Sequence, residues 1–516
     1  MQLWVLEPTL PLLFSSQYSP SLPRISLSLS LSLCAIHLFL CSTMEESTFS
    51  LLPLMLFLLL IQLTAGNGEE ETVLRLHRFQ WRSPVITSCS SQKSRKENGA
   101  TILEMKHRGY CSTEDWIERL QRQLNSDDIR VKSIQSRMKN TAAPGQTQGL
   151  LQTQIPLTSG INLQTLNYIV TAELGGLNMT LIVDTGSDLT WVQCQPCNSC
   201  YNQMDPLFNP SKSPSFHPIF CNSPACRSLQ LAGNSVACGN NPSSSCSYLV
   251  SYGDGSFTSG DLAGETFHLG ASPVDNFVFG CGRNNKGLFG GASGLMGLGR
   301  GDLSLISQTS SLFGGVFSYC LPSADHAESS GSLIFGNDSS VYKNSTPFSF
   351  TKVVENPQLS TFYLLNLTGI SIGGVALQAP GFNNGGILID SGTVITRLAP
   401  PVYRALKAEF LKQFSGFPPA PEYSILDTCF NLSAYQEVSI PTIRMQFEGN
   451  AELNVDVTGI FYFVKADASQ VCLAVAGLDY DDDIPIIGNY QQRNTRVVYD
   501  NNGSKVGFAR ETCSFT

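Results

Sequence analysis

Apolar and polar positions alternate over Tyr168 to Leu174 and again over Phe362 to Ile372. Each alternating run precedes a short, wholly apolar stretch, Leu181-Ile182-Val183 in the first case and Ile387-Leu388-Ile389 in the second. Alternation predicts a half-buried strand, and a brief apolar run bounded by turn residues predicts a fully buried one. Both apolar stretches run into the same kind of turn, Asp184-Thr185-Gly186-Ser187 and Asp390-Ser391-Gly392-Thr393. A second matched pair, Gly294-Leu295-Met296-Gly297-Leu298-Gly299 and Pro485-Ile486-Ile487-Gly488-Asn489, makes this an internal repeat. The rest of the chain after Leu151 is dominated by short strands punctuated by Gly, Asn, Ser and Pro, which predicts an all-β class. Helical spacing is confined to Pro401 to Phe414 (Tyr403, Leu406, Phe410, Leu411), the shorter Leu303 to Leu312, and an earlier stretch through Trp116, Ile117, Leu120, Leu124, Ile129, Val131 and Ile134.

The repeated turn carries chemistry. A Gly two residues after each Asp permits a tight turn, so the carboxylate can leave its strand and face a neighbouring backbone. If the two halves pack face to face, the carboxylates of Asp184 and Asp390 meet. Two carboxyls about 3 Å apart cannot both ionise, so such a pair presents an acid and a base together. That arrangement suits attack of water on an amide: one carboxylate draws a proton from the water while the other carboxyl donates to the carbonyl oxygen.

At 516 residues the chain exceeds one simple core, and the part after Leu151 divides into two lobes, here placed at 151–345 and 346–516. That part carries 17 Lys+Arg against 28 Asp+Glu, a net charge of −11, which argues against nucleic acid as a partner. Residues 67–149 are instead basic, with 14 Lys+Arg against 10 Asp+Glu, a net charge of +4. A basic segment ahead of an acidic body is expected to be a propeptide (67–150, including its linker) that covers the cleft by charge complementarity, with Lys106, Arg130 and Lys132 as candidate partners of the carboxylates. The alternative is a solvated basic helix with no masking role. Ala142 to Gly149 has the composition of a linker and cleavage zone.

The run Leu51 to Leu63, followed by Thr64-Ala65-Gly66, is expected to be the apolar core of a signal peptide (44–66) starting at Met44, although Glu45 and Glu46 stand where basic residues are usual. Residues 1–43 are expected to be an extension of that leader or no part of the native product. Twelve of the sixteen cysteines follow Leu151: Cys194, Cys197, Cys200, Cys221, Cys226, Cys238, Cys246, Cys281, Cys320, Cys429, Cys472 and Cys513. An even number suits six bridges in an oxidising compartment. Glycosylation sequons at Asn178, Asn337, Asn344, Asn366, Asn431 and Asn502 point the same way, to the extracellular space or cell wall, with the vacuole as the alternative. The C-terminus has no apolar tail, so no stable membrane anchor is expected.

These motifs, with Trp191 and Tyr252-Gly253-Asp254-Gly255-Ser256, resemble the pepsin-fold aspartic proteases, and within them the plant nepenthesin-like branch, from about Asn167 to Cys513. The resemblance implies a bilobal pepsin-like acid protease fold of two pseudo-twofold-related β-barrel-like lobes with a few short helices. It implies Asp184 and Asp390 as the catalytic dyad, Ser187 and Thr393 bonding the outer carboxylate oxygens, and Thr185 and Ser391 cross-linking the loops beneath. Tyr252 resembles the flap tyrosine of a hairpin between Ser247 to Val250 and Leu262 to Phe267, with its hydroxyl bonded to Trp191 and with Gly253, Asp254 and Gly255 at the flexible tip. Asp254 would favour basic substrate side chains. The cysteine-rich insertion implies pairs Cys194–Cys197, Cys200–Cys281, Cys221–Cys246, Cys226–Cys238, Cys320–Cys513 and Cys429–Cys472, although spacing alone leaves connectivity open.

Other hydrolytic chemistries lack their parts. After Leu151 the histidines are His217, His268 and His326, and there is no Gly-x-Ser-x-Gly or His-Glu-x-x-His. No cofactor or metal is expected: Cys194, Cys197 and Cys200 lack ferredoxin spacing, and Asp481-Asp482-Asp483 lacks an EF-hand glycine. The expected product is a monomeric secreted endopeptidase acting on protein or peptide substrates. The competing expectation is a catalytically silent pepsin-fold protein that binds or inhibits a glycosidase; a secreted structural or signalling glycoprotein would leave the repeated turns unexplained.

Overall fold

The two apolar stretches are strands, and each is clasped by the second motif of its half. In the computed structural model, which describes residues 71–76, 93–107, 116–141 and 168–515 apart from short stretches at 233, 240–242, 253–254, 288, 324–329, 337–340, 343–344 and 384, Leu177–Asp184 lies parallel to Gly294–Gly297. Gly297 faces Asp184 in that register, and Gly294–Gly297 also pairs antiparallel with Trp191–Gln193. The second half repeats this: Ile387–Ile389 runs parallel to Ile486–Ile487, which pairs antiparallel with Thr396–Leu398. The repeat extends to single atoms. Thr190 Oγ1 accepts from Gly297 N at 3.2 Å, and Thr396 Oγ1 accepts from Gly488 N at 3.1 Å. Each threonine lies six residues beyond its aspartate.

The described residues are mostly β. One 16-stranded sheet runs through both halves, and smaller sheets complete the second. The strand Tyr168–Leu174 falls where alternation placed it. The run predicted over Phe362 to Ile372 is two strands, Leu364–Leu365 and Leu367–Ile372, with a register shift between Leu367 and Gly369. The helix predicted at Pro401 to Phe414 spans Pro400–Gln413 and buries Val402, Tyr403, Leu406 and Phe410. Its Leu411 is instead exposed. Leu303 to Leu312 is not one helix but two single turns, Leu305–Gln308 and Ser310–Phe313, because Thr309 leaves helical backbone between them.

The basic segment contains more than a helix. Glu71–Arg75 pairs with Glu437–Pro441, and Ala100–His107 enters the large sheet between Gly331–Phe335 and Tyr168–Leu174. Its helix runs Trp116–Thr141. Leu124 packs with Val394, Ile395 and Tyr462, while Val131 and Ile134 pack with Leu359, Leu364, Leu388 and Ile486. The expected signal peptide, residues 1–43 and the linker from Ala142 to Gly149 lie outside the described residues. Among the described residues no helix is long and apolar enough to cross a membrane.

Candidate active site

Each Asp-Thr/Ser-Gly turn folds its carboxylate back on its own backbone. Asp184 Oδ1 accepts from Gly186 N at 3.1 Å, and Asp390 Oδ1 accepts from Gly392 N at 2.9 Å. The other oxygen of each accepts a hydroxyl: Ser187 Oγ donates to Asp184 Oδ2 and Thr393 Oγ1 to Asp390 Oδ2, both at 2.6 Å. The two loops are then tied crosswise. Thr185 N donates to Ser391 Oγ at 3.1 Å and Ser391 N donates to Thr185 Oγ1 at 2.9 Å. The glycines matter for a reason other than turn geometry, since neither Gly186 nor Gly392 has a positive φ. A Cβ at Gly392 would stand 2.5 Å from Asp184 Oδ1, and one at Gly186 2.9 Å from Asp390 Oδ1, so each glycine makes room for the opposite carboxylate.

Into this seam the helix Trp116–Thr141 inserts one cation. Arg130 Nη2 donates to Asp184 Oδ1 at 2.8 Å and to Asp390 Oδ2 at 2.9 Å, and Arg130 Nε reaches Asp390 Oδ2 at 3.2 Å. Both carboxylates are 1% exposed. Of the three candidate cations only Arg130 reaches them. Lys106 pairs with Glu104 at 3.6 Å, and Lys132 pairs with Asp128 one helical turn earlier at 2.9 Å. One turn before Arg130, Asp127 accepts from Val394 N at 2.5 Å and from Ile395 N at 3.1 Å, and it faces Arg397 Nη2 at 3.1 Å. Sequence reasoning missed Asp127 and Arg397. Their partners lie some 270 residues away, and nothing local marks them.

Tyr252 lies in the hairpin formed by Ser247–Ser251 and Phe257–Leu269, where Ser251 faces Phe257. Its hydroxyl accepts from Trp191 Nε1 at 2.7 Å, and the Phe289 ring stands edge-on to both aromatics. Gly255 has φ +78 and its N–H returns to Tyr252 O, closing the turn. Gly253 and Asp254 lie outside the described residues.

All twelve cysteines after Leu151 form disulfides, but four of the six expected pairs differ: the bonds are Cys194–Cys281, Cys197–Cys200, Cys221–Cys238 and Cys226–Cys246, alongside Cys320–Cys513 and Cys429–Cys472 as expected. Register explains the first correction. Cys194 N donates to Gly282 O, which sets Cys194 beside Cys281 on the parallel strand, and Cys197 and Cys200 then close their own loop. Burial explains the second, since Cys226 and Cys246 share an apolar cluster. Cys221, Cys226 and Cys238 lie close enough to hold a metal, but all three are in disulfides. Asn178 and Asn502 are exposed and Asn366 and Asn431 half-buried, while Asn337, Asn344 and His326 lie outside the described residues. His268 pairs with Glu173 at 2.9 Å, away from the dyad.

Residues 168–337 match a family model described as xylanase inhibitor N-terminal, and residues 362–510 one described as xylanase inhibitor C-terminal. An aspartyl protease family protein of Arabidopsis thaliana is 42% identical over 472 residues, covering 88% of this chain and 96% of its own. Aspartic proteinase nepenthesin-1 of Nepenthes gracilis is 38% identical over 342 residues, covering 64% of this chain and 74% of its own. Among solved structures, basic 7S globulin from soybean superposes with a TM-score of 0.52 at 22% identity, covering 68% of this chain and 94% of that one, a likeness of fold. The paired carboxylate turns and these relatives agree: the chain belongs to the pepsin-like aspartic protease family, in its plant nepenthesin-like branch.

Proposed function

We propose that this chain is a secreted aspartic endopeptidase, made as a zymogen, in which Asp184 and Asp390 activate water to hydrolyse a peptide bond. The observation that carries this reading is the pair of buried carboxylates brought to one cation, with 2.8 Å and 2.9 Å contacts to a single guanidinium nitrogen. With Arg130 withdrawn, the space between the carboxylates is lined by hydrogen-bond acceptors and suits a water. One carboxylate takes a proton from that water as it attacks the amide carbon, and the other carboxyl donates its proton to the carbonyl oxygen. The tetrahedral intermediate collapses as a proton passes to the leaving nitrogen, with no covalent enzyme intermediate. Ser187 and Thr393 hold the outer oxygens, so the inner ones face the water.

The leader supports the zymogen part of the reading. A guanidinium on both carboxylates occupies the place of water and substrate together. The basic residues 67–150 are then the propeptide, 151–345 and 346–516 the lobes, and the flap over Trp191 the lid on a substrate-filled cleft. Acid-pH cleavage of a denatured protein, inhibited by pepstatin and abolished in both Asp184→Asn and Asp390→Asn, is the expected result. A second reading is favoured by the family-model descriptions, which name xylanase inhibitors: a silent protein that binds a glycosidase. The intact dyad, both flanking hydroxyls and Tyr252 argue against it. The same assay separates the two, because a silent binder leaves the denatured protein uncut.

A further inference from the structure

The two carboxylate turns are joined by a second route, through strands of the large sheet that runs through both halves. Val316–Cys320 pairs antiparallel with Thr495–Asp500, with Phe317 facing Tyr499 and Tyr319 facing Val497. The hydroxyls of Tyr319 and Tyr499 meet at 2.7 Å. Tyr319 donates to Gln492 Oε1, and Gln492 Nε2 donates to Ile487 O at 3.0 Å and to Asp390 O at 3.4 Å. At the other end the Tyr499 hydroxyl adjoins the side chain of Thr185. Thr185, Tyr319, Tyr499 and Gln492 are all fully buried.

The direction of each proton follows from the donors available. The Gln492 amide turns its Nε2 to two carbonyls, so the atom facing Tyr319 is its acceptor oxygen. Tyr319 has one proton and donates it there, so its own oxygen accepts from Tyr499. Tyr499 is left with a lone pair towards Thr185. Thr185 Oγ1 already accepts from Ser391 N, and the other acceptor for its proton, Ser391 Oγ, stands 3.4 Å away. We propose that Tyr499, Tyr319 and Gln492 are positioning residues of the dyad, a one-way hydrogen-bond chain that fixes the backbone of Asp390 against the Thr185 turn and so sets the separation of the two carboxylates. The proposal rests on the protease reading above.

Buried hydrogen bonds polarise one another, so a chain whose members all point one way holds its ends more firmly than its links would separately. The ends here are the two turns that carry the carboxylates. Burial keeps the members from touching a substrate, so their effect on rate can only pass through the dyad. The chain stays neutral across the acid range: burial holds both tyrosines above the ordinary tyrosine range, and their titratable neighbours Asp390, Tyr363 and Tyr168 add to this. The Tyr499 ring is fixed apart from its hydroxyl, stacked on Phe317 at 4.6 Å and edge-on to Tyr363 at 4.4 Å. Removing the hydroxyl alone therefore breaks the chain and leaves the packing. Carboxylate separation has its own signature. The closer the two stand, the further apart are the two pKa values of the pair, and the width of a bell-shaped rate profile reports that split.

The test uses the full chain after acid maturation, one peptide that the wild type cuts, and the variants Tyr499→Phe, Tyr319→Phe and their combination. Each single variant should lose about tenfold in kcat with KM held within about twofold, as a sub-ångström shift of a catalytic group would give. The combination should lose no more than about the same tenfold, because either change breaks the same chain. In all three the pH profile of kcat/KM should narrow by about half a unit as the carboxylates part. Full activity, a loss carried by KM, losses that multiply in the combination, or a profile of unchanged width overturns the chain. A merely structural role would lower the urea midpoint and leave the profile width as it was. If Tyr319→Phe does not fold, Tyr499→Phe decides through the split between kcat and KM and through the profile width. A wild type that cuts nothing defeats the protease reading and the chain with it; a wild type that cuts, with variants that match it, defeats only the chain.

Discussion

At the scale of residues, the least forgiving position is Gly392. A methyl there would stand 2.5 Å from Asp184 Oδ1, on the far side of the seam. Because Thr185 and Ser391 lock the loops crosswise, the methyl cannot be relieved without moving one carboxylate. Misplacing a catalytic group by about 1 Å costs on the order of 100-fold in rate. Gly392→Ala should therefore lose about 100-fold or more in kcat/KM, while circular dichroism reports an intact fold. Asp188 offers a second test. Burial pushes its carboxyl up to about 7; the N–H of Gly301 opposes this, and the negative charges of Asp184 and Asp302 add to it. A raised folded-state pKa means that the stabilisation is complete below the ordinary value of 3.8 and is lost as pH rises through 7. Over pH 4 to 8 the matured protein should lose on the order of 2–4 kcal/mol of stability through this group. Urea midpoints across that range should fall less in Asp188→Asn than in the wild type.

At the scale of elements, the leader helix is held by three kinds of contact. Leu124, Val131 and Ile134 bury apolar surface, Gln135 pairs with Ile484 N and O like a strand at 2.8 Å each, and charge pairs Arg130 with the dyad and Asp127 with Arg397. Of these, the charge contacts are expected to weaken on acidification, Asp127 among them because burial raises its carboxyl above the ordinary carboxylate range. Arg130→Met should relax the acid requirement, so that processing followed by gel mobility begins at least about one pH unit above the wild type, with Asp127 on Arg397 supplying what remains. Much of this element was legible in the sequence: the spacing from Trp116 to Ile134 marked its start, although the helix runs on to Thr141 and Ile129 is exposed, and Arg130 stood among three candidate cations. The sequence could not separate Arg130 from Lys106 and Lys132, because the choice depends on helix rotation and on local acids, Glu104 and Asp128, that take the two lysines. The carboxylate turns were legible because both copies keep chemistry and apolar context together. The pairing of Cys221, Cys226, Cys238 and Cys246 was not, since three of these sulfurs lie close together in space and spacing cannot choose among them.

At the scale of the whole molecule, the basic segment 67–150 that the proposal reads as a lock is also a structural part. Gly68–Thr516 forms one compact unit, and Ala100–His107 is an interior strand of its largest sheet, registered against Gly331–Phe335 on one side and Tyr168–Ile169 on the other. Its run Thr101 to Met105 was not recognised as a strand, because every one of these positions is buried, leaving no alternation to read; the local signal was the Asn98-Gly99 turn, through which Ser94–Glu97 pairs with Ala100–Leu103. Ile102, Leu103 and Met105 are fully buried, as is Leu74 on the strand that pairs with Glu437–Pro441. Burying four such side chains contributes about 6–12 kcal/mol gross, comparable to the 8 kcal/mol or so of a micromolar complex. Cutting the linker between the helix and Tyr168 should therefore leave the leader attached. A chain cleaved there by an added protease at neutral pH should elute from a sizing column as one species, and intact-mass analysis should find both fragments in that peak. At acid pH the charge contacts of the helix weaken and the fragments should separate over time, with activity appearing in step. Separation at neutral pH on the first cut would mean that the strand is held by continuity of the chain and not by the sheet.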